Sequence, residues 1–198
     1  GTATREIRIV ANWIGLAPDG VMLAGGAVGI RLREAADVVI GGARADANVI
    51  VAARDAGILL EDVSQAVVLS NRVGLSPDDV SLGNGIGIRL RDGASDNLVQ
   101  ENRIGGNQGA GIEVLDAGSQ RNNLTRNVFL DNAGIGIDLG GDGPTANDAG
   151  DADVGPNTML NAPLFTDIGS FGARMVISGT AGPRRRVEVY AVVPAQVP

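Results

Sequence analysis

Gly87-Ile88-Arg89-Leu90, followed by Asn97-Leu98-Val99 and then by Asn102-Arg103-Ile104-Gly105, is the stretch whose reading decides the fold. Ile88 and Leu90 sit two apart with a polar residue between them, the alternation of a strand with one face buried. The unit recurs as Gly29-Ile30-Arg31-Leu32, Gly57-Ile58-Leu59-Leu60, Gly111-Ile112-Glu113-Val114 and Gly136-Ile137-Asp138-Leu139. The intervals between the glycines are 28, 30, 24 and 25 residues. A repeat of this period marks a solenoid, a propeller or an array.

A second apolar run follows each unit: Val38-Val39-Ile40, Val67-Val68-Leu69, Leu98-Val99 and Leu124. A third follows again: Val49-Ile50, Arg72-Val73, Arg103-Ile104 and Val128-Phe129. Each coil therefore holds three short strands and three corners. Strands this short and this close cannot be joined by helical crossovers. Each can pair with its equivalent one coil along, roughly 4.8 Å away. One repeat cannot bury its apolar face alone, but a stack can. Asn12, Asn48, Asn71, Asn102 and Asn127 punctuate the third run. Asparagine at a repeated corner tolerates a left-handed backbone and bonds to neighbouring main chain. These residues read as scaffold.

The 30 glycines exceed the usual share of about 7%, and aromatics are only 3%. That suits a narrow coil with many corners. No apolar run is long enough to span a membrane, and no charged-then-apolar leader opens the chain. The net charge of −7 argues against a general nucleic-acid surface. With no His and no Cys, zinc-hydrolase, Ser-His-Asp and Cys-His mechanisms are excluded within this chain.

Ile7-Arg8-Ile9-Val10 reads as a strand leading into Asn12-Trp13-Ile14-Gly15, so the chain enters partway round a coil. Further coils or another chain are therefore expected at that end, with Arg5, Glu6 and Arg8 blunting the open edge. Gly15-Leu16-Ala17-Pro18-Asp19-Gly20 is echoed by Gly74-Leu75-Ser76-Pro77-Asp78-Asp79. Both are turn sequences extruded from the same corner; loops on one edge of a solenoid commonly build its binding face, and a purely decorative turn is the alternative. After Leu139 the pattern stops. Residues 140–163 form a loop rich in Asp, Gly and Pro. Met175-Val176-Ile177 and the run from Val187 to Val193 read as strands separated by a turn at 179–183. They would cap the coil or open a β-sandwich module.

These units resemble the bacterial right-handed parallel β-helix repeat proteins of the pectate-lyase-like superfold. The closest likeness is in Asn71 to Ile88 and in the run from Gly136 through Asn147-Asp148 to Gly155-Pro156-Asn157. The resemblance implies a secreted or cell-surface bacterial protein, and an Ig-like module after the coil. It leaves activity open, because one coil carries lyases, hydrolases, adhesins and stalks.

Enzymatic β-helices of this kind use carboxylates on neighbouring coils beside a basic residue. The outward position of G-I-x-L gives the column Arg31, Leu59, Arg89, Glu113, Asp138. Glu113 and Asp138 form the best acid/base pair, with Arg89 beside them. A solvated column with an Arg89–Glu113 ion pair is the alternative. Asp142, Asn147, Asp148, Asp151 and Asp153 are hard oxygen donors in a Gly-rich loop, the chemistry of Ca2+. Asx-turns bracing the loop are the alternative there. Arg184-Arg185-Arg186 reads as a solvated edge.

The expected fold is all-β: a right-handed parallel β-helix of about five coils over 1–165, with a small C-terminal β extension over 166–198. The hand follows from the crossover rule. The expected function is a non-catalytic structural, adhesive or carbohydrate-binding module, with a polysaccharide or surface glycan as partner. The alternative is a polysaccharide lyase or glycoside hydrolase acting through Arg89, Glu113 and Asp138.

Overall fold

The computed structural model describes residues 7–17, 25–172 and 174–190. The first Pro-Asp turn, Arg5, Glu6 and the end of the 187–193 run lie outside them. The first turn carries β1 (Arg8–Ile9), β2 (Trp13–Ile14) and β3 (Val28–Ala36). The next carries β4 (Val39–Gly41), β5 (Val49–Ile50) and β6 (Ala56–Ser64), and the third β7 (Val67–Leu69), β8 (Arg72–Val73) and β9 (Ile86–Arg91). Then follow β10 (Leu98–Gln100), β11 (Arg103–Gly105) and β12 (Ile112–Val114), and lastly β13 (Asn123–Thr125), β14 (Val128–Leu130) and β15 (Ile137–Leu139).

Equivalent strands stack into three parallel sheets of five strands each: β3-β6-β9-β12-β15, β1-β4-β7-β10-β13 and β2-β5-β8-β11-β14. The chain is a parallel β-helix. The register sets Ile30, Ile58, Ile88, Ile112 and Ile137 in one inner column, and Leu32, Leu60, Leu90, Val114 and Leu139 in the next. Ile58, Leu60, Ile88, Leu90, Ile112 and Val114 are wholly buried. Each such side chain contributes roughly 1.5–3 kcal/mol by its burial, which is why two-residue strands hold.

The glycine before each Ile lies where coils come closest. A Cβ on Gly87 would stand 2.3 Å from the Gly111 carbonyl oxygen and 2.6 Å from Ile104 Cγ2. Gly87→Ala is therefore expected to lower stability by about 1–3 kcal/mol in urea denaturation. Gly118→Ala, whose Cβ would approach no atom nearer than 3.5 Å, is expected to be close to neutral.

The asparagine ladder runs as read. Asn127 Oδ1 accepts from Asn102 N and Nδ2, Asn102 Oδ1 from Asn71, Asn71 Oδ1 from Asn48, and Asn48 Oδ1 from Asn12. One detail is corrected. The left-handed residue is the one before the asparagine: Ala11, Ser70, Glu101 and Arg126 have φ between 54° and 58°. The asparagine amide then turns inward onto a strand carbonyl, as Asn102 Nδ2 does to Val68 O at 2.9 Å. Two further ladders escaped the sequence reading: Asn97–Asn122–Asn157 and Asn84–Asn107–Asn132.

Beyond the coil, β16 (Leu164–Phe171) and β17 (Arg174–Thr180) form an antiparallel hairpin. Leu164-Phe165 thus opens the first strand of the hairpin, with Met175-Val176-Ile177 in the second. The expected strand from Val187 is absent over 187–190. That segment makes its contacts through side chains instead. Tyr190 meets Phe129 edge-on, with ring centroids 5.5 Å apart. Glu188 accepts from the Thr125 hydroxyl and from Arg126 N. It covers the last coil without joining a ladder.

Candidate ligand-binding groove and acidic loop

The outward column of the first sheet is present in register: Arg31, Leu59, Arg89, Glu113, Asp138. Its chemistry is largely spent internally. Arg89 donates from Nε to Glu113 and from Nη1 to Asp55. Asp138 accepts from Gly141 N and Gly143 N, both at 3.1 Å, which ties down the turn that follows β15. Beside this column lies a pairing the sequence reading missed. Glu61, 3% exposed, accepts from Arg31 Nη2 at 3.1 Å and from Arg91 Nη2 at 2.6 Å. The hydrogen bond from Arg31 foremost, then that from Arg91, holds its carboxyl below the usual range against the opposing effect of burial.

In the 138–157 loop, three of the five candidate metal ligands come together. Asp148, Asp151 and Asp153 each bring one carboxylate oxygen to within 4.8 Å of the others. Asn147 does not join them; its side chain pairs with the main chain of Ala162 in both directions at 2.8 Å. Asp142 also stands outside the cluster.

The third sheet carries a groove. Its outward column is Trp13, Val49, Arg72, Arg103 and Val128, while Ile14, Ile50, Val73, Ile104 and Phe129 point inward. Strand alternation therefore turns the chain's single Trp outward, 52% exposed. The extruded loop after β8 folds back as a wall. Ser76 Oγ accepts from Asp78 N at 3.2 Å and from Val80 N at 3.0 Å, an ST-turn that fixes the loop. Asp79 then reaches back to the sheet. It accepts from Arg103 Nη2 at 2.7 Å and Nε at 3.0 Å, and from Arg72. The hydrogen bond from Arg103 foremost, helped by that from Arg72, keeps the Asp79 carboxyl below the usual carboxylate range against the opposing effect of desolvation.

The resulting cleft of about 730 Å3 is lined by Trp13, Arg44, Arg72, Pro77, Asp79, Glu101 and Arg103, among others. Arg44 has no ion pair among the described residues. The lining thus holds three guanidinium groups and two carboxylates on a chain of net charge −7. An indole face beside fixed hydrogen-bond donors and acceptors can take a ligand with one apolar face and a rim of hydroxyl or carboxylate groups. The sequence reading left the loop as either a plain turn or part of a binding edge, and did not name the residues opposite it. The available signal was the single Trp at an outward strand position, two β-strand repeats before Arg72.

A search of curated proteins and one of solved structures give no match. The family model described as periplasmic copper-binding protein (NosD) matches residues 19–137. That segment spans β3 to the start of β15 and is more than half of the chain, so this protein belongs to the NosD family.

Proposed function

We propose that this chain is a non-catalytic glycan-binding module of an exported protein, presenting the cleft on its third sheet to an oligosaccharide. The observation that carries this is the half-exposed Trp13, set in one cleft with Arg44, Arg72, Asp79, Glu101 and Arg103. A pyranose stacks its C–H face on an indole and offers its hydroxyl rim to charged side chains. Asp79, held by two arginines, is pre-organised to accept from such hydroxyls. Arg44 favours a sugar bearing a carboxylate. The family's periplasmic setting agrees with an exported chain. Among the described residues no helix is long and apolar enough to cross a membrane.

The family description also names copper, and the donors of this chain do not fit it. Copper sites draw on imidazole, thiolate and thioether. This sequence has no His, no Cys and three Met. Of the two described, Met159 lies in the loop after β15 and Met175 on β17, 71% exposed. No step through copper is assigned to this chain.

Trp13 makes the test direct, because its fluorescence reports the cleft alone. Titration with uronate-bearing and neutral oligosaccharides is expected to change the emission, with the uronates binding more tightly. Trp13→Ala, followed by calorimetry, is expected to weaken binding about tenfold or more, about 1.4 kcal/mol, with the melting temperature nearly unchanged. Absence of binding by every glycan, or full affinity in Trp13→Ala, would refute the reading.

A further inference from the structure

We infer that Asp148, Asp151 and Asp153 form a site for a hard divalent cation of the calcium class, and that this, not copper, is the metal the chain holds. Three observations converge on it. The three carboxylates bring oxygens to within 4.8 Å of one another. Oxygens bound to one Ca2+ at about 2.3–2.6 Å can lie up to about twice that distance apart, so the spacing suits a shared ion.

The second observation is independent of the clustering. Asp148 Oδ1 and Asp153 Oδ1 are sealed from solvent and accept no hydrogen bond. A carboxylate oxygen removed from water without a partner is strongly unfavourable. Neighbouring like charges make it worse. Main-chain hydrogen bonds fix two of the three carboxylates. Asp148 Oδ2 accepts from Ala152 N at 2.9 Å, and Asp151 Oδ1 from Asn161 N at 2.7 Å. A cation between the orphaned oxygens removes both penalties.

The third is charge. Among the described residues one basic group reaches the cluster, Arg185, with Nη2 3.5 Å from Asp151 Oδ2. It offsets one of three negative charges and leaves two, which a divalent ion neutralises. All the donors are hard oxygens, which suit calcium and exclude a soft-metal preference. The loop is also pinned before any ion binds. Asp148 N donates to Asn161 Oδ1, and Asn161 Nδ2 donates to Asp148 O, both at 2.9 Å.

The experiment is calorimetry on chelator-treated protein with CaCl2, MgCl2 and CuSO4 in turn, together with thermal melts. The expected result is one equivalent of Ca2+ bound, more tightly than Mg2+, with no stoichiometric Cu2+. At a hundredfold excess over Kd, the melting temperature rises by roughly 5–10 °C. Asp153→Asn and Asp148→Asn, each checked for an unchanged circular dichroism spectrum, weaken Ca2+ binding tenfold or more and remove the rise. Should one variant fail to fold, the other carries the test. An identical melt in chelator and in millimolar calcium overturns the inference. So does Ca2+ affinity that survives both substitutions, or Cu2+ binding with one-to-one stoichiometry where Ca2+ does not bind.

Discussion

Ile88→Asp is expected to unfold the protein at ambient temperature, while Arg89→Gln, one residue along, leaves it folded. Ile88 is wholly buried, with Ile58 on one side in register and Ile112 on the other. An aspartate there faces a dry column of aliphatic side chains with no donor to receive its charge. The loss of packing adds to that, and the combined cost exceeds about 4–5 kcal/mol, the range in which single substitutions unfold ordinary domains. Arg89 lies on the other face of the same strand. Its neutral replacement gives up ion pairs to Glu113 and Asp55 but creates no buried charge of its own. A cost of about 1–3 kcal/mol is expected, since the buried Glu113 loses a charged donor. Urea denaturation of the two variants measures the difference, and similar midpoints would show the facing of β9 to be misassigned.

Breaking the asparagine ladder in its middle is expected to cost about 2–4 kcal/mol, and breaking it at its end under about 1 kcal/mol. In Asn102→Ala the main-chain N–H of Asn71 loses its acceptor, Asn102 Oδ1 at 2.9 Å, in a place that water does not reach. Val68 O and Gln100 O lose donors at 2.9 and 3.0 Å, and a small cavity remains. In Asn12→Ala the only carbonyl to lose a donor among the described residues is Val10 O, at 2.8 Å in an exposed place that water reaches, and Asn48 Oδ1 still accepts from the residue 12 main-chain N–H at 3.0 Å. Asn102→Asp separates hydrogen bonding from packing. It keeps the volume but turns acceptor lone pairs toward Val68 O and Asn127 Oδ1, so a loss at least as large as for Asn102→Ala is expected at neutral pH. Equal stabilities for the middle and end variants would mean that the ladder contributes nothing beyond its volume.

The two uncredited ladders show what kind of pattern was readable and overlooked. Asn97, Asn102 and Asn107 stand five apart, as do Asn122, Asn127 and Asn132, and the two sets are 25 residues apart. Each triplet marks the three corners of one coil. In the earlier coils the same partners are separated by 23, 31 or 36 residues, because loops of different length leave the corners. Those insertions hide the repeat from counting, although the stacking distance between strands never changes.

The amino-acid sequence by itself determined the coil. Alternation over two residues says which side chain faces in, and the recurrence of G-I-x-L says that each strand pairs with its equivalent, so Ile30, Ile58, Ile88, Ile112 and Ile137 could be stacked from their spacing alone. Only the tertiary structure decided the sites. Trp13 and Asp79 meet across a cleft because one strand column and one extruded loop are brought together by three turns of coiling. Asp148, Asp151 and Asp153 converge, while Asp142 and Asn147 from the same loop do not. Apolar alternation is a local property written in neighbouring residues. The path of an irregular loop is set by main-chain hydrogen bonds such as those of Asn161 to Asp148, and no period in the sequence encodes them.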